Sequence, residues 1–391
     1  MENLDLNQVN NFVLQKLHLT QDSKLDNILK ITEDLCGLHA TDLKTSYLSL
    51  LARTNKFQKS DLENELYIKK TLARIRGMRR TLFIETKDMI PIIYSATFKL
   101  IDKSFEKFME FHKVTLNQYK EVSQAITKIL DGRELSASEI RKELNSKLNI
   151  PAIIQVMCNQ KLLLRVKPVK DWKDRRSKYA LFKDYFPEIH LDNFSEEEAI
   201  NILVEKYLKA YEPVTDTDIS WWTGLTKTQT KNALKKSKLQ LENIKINSIP
   251  KTFKMIKQDV DKIINNSKKE ESLLMLLPSL DPYPMGYKDR EKYIIANNYN
   301  YLFDRSGNIT STIFLDGIAI GVWDIEEKPE KIVKFHLFRP YSKELLNELY
   351  SAAEKVGVFY FDDNVTILEC KSMIPLTERN AGGFMSPLKN C

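Results

Sequence analysis

The pattern of apolar and polar positions divides the chain into three similar units and a different final third. The clearest unit is "LSASEIRKELNSKLNIPAIIQVMCNQKLLLRVKP". Ser136 with Glu139 three residues on is a capping box, and Ile140 and Leu144 then share one helical face. A turn with Pro151 follows, then Ile153, Ile154, Val156 and Met157 predict a second helix. "KLLLRV" reads as a short strand entering a basic loop. Helix, turn, helix, strand and basic loop spell a winged helix.

"PVTDTDISWWTGLTKTQTKNALKKSKLQLENIKI" repeats the order. Thr215 caps toward Asp218, Ile219 and Trp222 face inward, and Gly224 turns the chain. Lys227, Lys231 and Lys235 fall at i, i+4 and i+8 of the second helix, the position of a recognition helix. A looser unit, "SDLENELYIKKTLARIRGMRRTLFIE", reads as helix, basic turn and strand. Beyond residue 250 the pattern becomes β-rich. "SLLMLL", "KIVKFHLF" and "VTILEC" read as strands, and "NITSTIFLDGIAIGVWDI" as a hairpin about Asp316 and Gly317. "SKELLNELYSAAEKV" is one amphipathic helix capped by Ser342.

The expected fold is therefore α+β: three tandem winged-helix modules over residues 1–115, 116–190 and 191–250, then a mainly antiparallel β module with one helix over 251–391. At 391 residues the chain has room for several cores.

Charge sharpens this picture. A net charge of +7 is moderate, but the cations cluster. Residues 69–80 hold six basic residues and no acid, residues 161–178 eight against two aspartates, and residues 226–238 five lysines and no acid. Such clusters suit a polyanion. The absence of a signal-peptide pattern and of any apolar run of about 18 residues points to a cytoplasmic protein off the membrane. Four scattered cysteines and five histidines give no zinc spacing, so no metal or other cofactor is expected. Cys36 and Cys158 read as buried small apolar residues of a reduced chain. No phosphate-binding loop, dinucleotide fingerprint, nucleophile elbow or HExxH motif is present.

What remains is residues 37–42, where Gly37, His39, Thr41 and Asp42 gather just before an amphipathic helix. Five segments in order carry a family resemblance: "LCGLHATDLKTSYLSLLAR", "IRGMRRTLFIE", "DISWWTGLTKTQTKNAL", "LLPSLDPYPMGYKDR" and "GNITSTIFLDGIAIGVW". Together they resemble the winged-helix DNA glycosylases of the AlkZ/YcaQ type. Within the second segment, Arg80 stands where the family has glycine and Phe83 where it has histidine.

The resemblance implies a monofunctional enzyme that removes a bulky modified base from double-stranded DNA and leaves an abasic site. The base would be an alkylated purine, a crosslink adduct or a hypermodified phage-type pyrimidine, in repair or anti-phage defence. It implies catalysis at a Gln–apolar–Gln or Gln–apolar–Asp motif, which His39, Ala40 and Thr41 replace here. Residues two apart in extended chain point the same way, so His39 and Thr41 are expected to aim at one water, with Asp42 supporting the oxocarbenium-like cation. A histidine near its ordinary pKa of about 6.5 would move protons at neutral pH. Arg53, Arg76, Arg79, Arg80, Arg175, Arg176, Lys227 and Lys231 are the expected DNA contacts, in a monomer. The competing reading is a winged-helix DNA-binding regulator without catalysis. Two proton- and water-handling residues at positions 39 and 41 favour the enzyme.

Overall fold

The computed structural model describes residues 2–265, 272–378 and 386–388. Its central feature is a six-stranded sheet in the order Leu38–His39, Leu82–Thr86, Leu72–Arg76, Leu163–Pro168, Ser177–Leu181, Leu135–Ser136. The stretch read as one basic turn is half strand. In Leu72–Arg76 the residues Leu72, Ala73, Arg74 and Ile75 are buried, and only residues 77–81 turn the chain back into Leu82–Thr86. Arg74 pairs with Arg165, so the wing strands of the second unit extend the sheet of the first.

The second unit keeps a core of its own, built from Ile126, Ile140, Ile153, Met157 and their neighbours. Ser136 and Glu139 form the capping box. The helix Ile150–Asn159 buries Ala152, Ile153, Ile154, Val156, Met157 and Cys158. It packs against the strand Leu72–Arg76 and the helix Met89–Asp102, so it is a packing element and not an open reading helix.

In the third unit, Thr215 and Asp218 form the capping box, with Ile219 and Trp222 buried. The helix Lys227–Lys236 is capped by Thr226, buries only Thr230 and Ala233, and exposes Lys227, Lys231 and Lys235. The strand Asn3–Leu4 pairs in parallel with Leu241–Ile246 of this unit. The first residues of the chain therefore join the third unit's sheet, not the unit they were expected to open.

The final sheet runs Leu274–Leu277, Thr312–Leu315, Ile318–Glu326, Ile332–Leu337, Thr366–Glu369. Its first three pairings are antiparallel and the last is parallel. The helix Lys343–Phe361, capped by Ser342, covers it. Asp316 and Gly317 both take positive φ, 51° and 81°, which is the geometry a two-residue hairpin demands. A Cβ on Gly317 would lie 3.0 Å from the Tyr283 hydroxyl, which donates to the Gly317 carbonyl. Gly317→Val is expected to lose about 1–3 kcal/mol of stability, read from a denaturant melt. An unchanged melt would contradict this turn.

Side chains of two matched segments bind the units together. Arg53 is fully buried and holds Asp281 through two hydrogen bonds, 2.8 and 2.7 Å. Thr45 donates to the Ser279 carbonyl. Asp218 accepts from the backbone N–H groups of Lys288 and Asp289. These contacts fix "LLPSLDPYPMGYKDR" against the helix Leu43–Arg53 and the helix Asp216–Thr223. Cys36 and Cys158 are free and buried, whereas Cys370 is disulfide-bonded, which corrects the expectation of a wholly reduced chain. Among the described residues no helix is long and apolar enough to cross a membrane.

Candidate active site and DNA-facing residues

The helix Ile28–Asp34 ends just before Cys36 and Gly37, whose φ values of 51° and 97° fold the chain into the strand Leu38–His39. That strand is held at the sheet edge by pairing His39 with Phe83 and Leu38 with Ile84. Further hydrogen bonds fix residues 39–41. Ala40 N–H donates to Leu82, and Arg74, itself buried, donates to the carbonyls of Ala40 and Thr41. Ser46 donates to the His39 carbonyl from the next helix. Arg74 was hidden in the sequence inside a stretch that looked like a solvated basic turn.

Asp42 caps the helix Leu43–Arg53, accepting from the Lys44 N–H at 3.1 Å. Its other oxygen meets the Arg175 guanidinium at 3.3 Å. Asp42 and Arg175 line a cavity of about 310 Å³ with Lys44, Thr45, Asp324 and Tyr360.

His39 and Thr41 do not share an environment. The strand ends at His39, whose side chain is only 4 % exposed, while Thr41 is exposed. The His39 ring lies 5.2 Å from Phe83, which in turn meets Trp222 at 6.0 Å. Its Nδ1 is buried without a hydrogen-bond partner among the described residues. Burial, with the positive charge of Arg79 nearby, pushes the imidazole down to about 3. The ordinary pKa of about 6.5 expected from the sequence does not fit this burial, which favours the neutral imidazole.

The expected DNA contacts separate into three groups. Arg53 is enclosed by Leu17, Ser49 and Asp281 and cannot reach a phosphate, so its assignment is corrected to an internal ion pair. Arg76 and Arg79 are half-buried. Arg76 lines a cavity of about 200 Å³ with Arg80, Ser104, Gln155 and Asn159. Arg79 stacks 3.9 Å over Trp221, and burial plus the charge of Arg290 lowers its guanidinium to about 10. Arg80, Arg175, Arg176, Lys227 and Lys231 reach the surface. Arg175 and Arg176 share the loop between Leu163–Pro168 and Ser177–Leu181, where Arg176 pairs with Asp174. Arg79 and Arg80 take positive φ, 50° and 60°. A left-handed backbone at position 80 is the condition that glycine meets without strain, which accounts for a glycine there in the family pattern.

A buried carboxyl group was not anticipated. Glu85, on the strand Leu82–Thr86, lies under Gly37. Nothing in "TLFIET" marks it, since a lone acid in a short strand ordinarily faces water.

The chain matches the model of the AlkZ-like DNA glycosylases over residues 32–359 and belongs to that family. Among solved structures it is similar to the Streptomyces sahachiroi DNA glycosylase AlkZ, with a TM-score of 0.74 over 94% of this chain and 99% of that one. At 16% identity the likeness is one of fold. No curated protein matches the chain.

Proposed function

We propose that this DNA glycosylase is monofunctional and hydrolyses the N-glycosidic bond of a bulky, positively charged base, an alkylated purine or crosslink adduct, in DNA repair. The observation that carries the reading is the burial of His39, whose Nδ1 has no hydrogen-bond partner among the described residues and whose imidazole that burial holds in the neutral form. An uncharged modified pyrimidine leaves poorly unless it is protonated as the bond breaks, and a neutral buried imidazole is a poor source of that proton. An alkylated purine brings its own positive charge and departs as a neutral base. Without a proton-moving histidine, a hypermodified phage pyrimidine is the less suited substrate.

A neutral imidazole offers one donor and one acceptor. That is the same pair a glutamine amide offers, so His39 takes over the glutamine's work of holding polar groups in place. Thr41, exposed beside it, holds the attacking water through its hydroxyl. Asp42 stabilises the oxocarbenium-like sugar and takes the proton the water sheds as its oxygen bonds to C1′. In the free protein Arg175 occupies one Asp42 oxygen. A DNA phosphate that draws Arg175 away would free that oxygen. The target nucleotide has to leave the stack to reach these groups.

The test is incubation with duplexes carrying 7-methylguanine, a bulkier N7-alkyl guanine or an uncharged hypermodified pyrimidine, followed by alkali. Release of the charged purines alone, with strand breaks only after alkali, is expected. Breaks before alkali, or release of the pyrimidine alone, would contradict the reading.

DNA contact by the surface cations has its own check. Lys227→Ala with Lys231→Ala should weaken binding alike on all sequences. It should also flatten the slope of log affinity against log salt by roughly one for each phosphate no longer held. An unaltered slope would place the DNA on another face.

A further inference from the structure

The register of the sheet sets Glu85 beneath the turn that delivers His39. Pairing of His39 with Phe83 and of Leu38 with Ile84 puts Gly37 opposite Glu85. Phe83 and Glu85, two apart, leave the same face of the strand. The approach is so close that a Cβ on Gly37 would stand 2.1 Å from Glu85 Oε1 and 2.6 Å from its carboxyl carbon. The positive φ of Cys36 and Gly37 lays the chain across the carboxyl group, and a bond from Gly37 N–H to the Thr32 carbonyl pins it there.

Glu85 is 1 % exposed, and its Oε1 has no hydrogen-bond partner among the described residues. The groups facing it are Cys36 from the turn, and Lys206 and Tyr211 from the helix Glu196–Tyr211. Lys206 is ion-paired with Glu33 at 2.6 Å, and the Tyr211 hydroxyl donates to Leu35. Ala73, its partner on the adjoining strand, supplies only a methyl group. A carboxylate here would be buried with no charge directly paired to it, since Lys206 is already engaged by Glu33, a costly arrangement. A protonated carboxyl is a neutral surface on which the Gly37 backbone can rest.

We infer that Glu85 is a positioning residue for base excision: in its protonated form it seats residues 36–39, and on ionisation it unseats them and His39 with them. This rests on the reading of His39 as part of the active site. Burial raises the Glu85 carboxyl to about 8, against about 4.3 in an unfolded chain. Between those values the folded protein keeps a proton the unfolded chain has lost. The stability contributed by that proton therefore falls as pH rises from about 4.3 and is gone above about 8. Loss of the seated conformation belongs at the alkaline end of this range.

Hydrogen exchange of the peptide covering residues 36–42, corrected for intrinsic rate, should show loss of protection between pH 7 and pH 9 in the parent. Glu85→Gln and Glu85→Met, neither of which can ionise, should stay protected at both. Single-turnover excision of 7-methylguanine should fall with a midpoint near pH 8 in the parent, and Glu85→Gln should match the parent at pH 7 without that fall. If the parent and both variants lose protection alike, or the parent loses none, Glu85 does not seat the segment. If protection behaves as described but 7-methylguanine is never released, the substrate reading fails and the role of Glu85 stands.

Discussion

Arg53→Ala is expected to destabilise the protein by about 3–5 kcal/mol, the cost of leaving one partner of a buried ion pair unmatched. All three nitrogens of this guanidinium donate hydrogen bonds. Nε donates to the Leu17 carbonyl, Nη1 to Ser49 and Asp281, and Nη2 to Asp281. Asp281 also accepts from the Ser49 hydroxyl and caps the turn at Tyr283. Removing the arginine strands a carboxylate of zero exposure between the helix Leu43–Arg53 and the final third of the chain. Removing both charges together, as Arg53→Met with Asp281→Leu, should cost much less than either single change, because no buried charge is then orphaned. Denaturant unfolding reads both. A loss below about 1 kcal/mol for Arg53→Ala would contradict a closed ion pair and reopen Arg53 as a surface cation.

The second large effect falls on catalysis. His39→Ala is expected to slow single-turnover excision of 7-methylguanine by roughly 10²–10³-fold, the usual cost of deleting one preorganised hydrogen-bonding group. DNA affinity should hardly change, because the side chain is enclosed by Phe83 and the surrounding strands and meets no solvent-facing phosphate. His39→Gln should recover most of the rate, since the amide restores one donor and one acceptor. Parent-like rates in His39→Ala would move the chemistry elsewhere.

What was legible in the sequence was local. Capping boxes at Ser136 and Thr215 and the hairpin at Asp316 and Gly317 announce themselves within a few residues, because the hydrogen bonds that form them span three residues or fewer. The candidate segment was found through five short resemblances in order. What was not legible depended on distant parts of the chain. The Arg53 carboxylate partner lies 228 positions away, so an arginine at the end of an amphipathic helix looked like a DNA contact. The pairing of Asn3 with Lys245, and of Arg74 with Arg165, is set by tertiary packing. The protonation of His39 and Glu85 is likewise a property of burial, which residue type alone does not reveal.

One measurement addresses directly the proposal that His39 acts as a neutral group: the pH dependence of single-turnover excision of 7-methylguanine between pH 5 and pH 7.5, in the parent and in His39→Gln. With the imidazole held at about 3, no protonation of His39 takes place in this window, so the two profiles should have the same shape. A limb in the parent with its midpoint near 6.5 that disappears in His39→Gln would show an ordinary, proton-exchanging histidine and would contradict that neutrality.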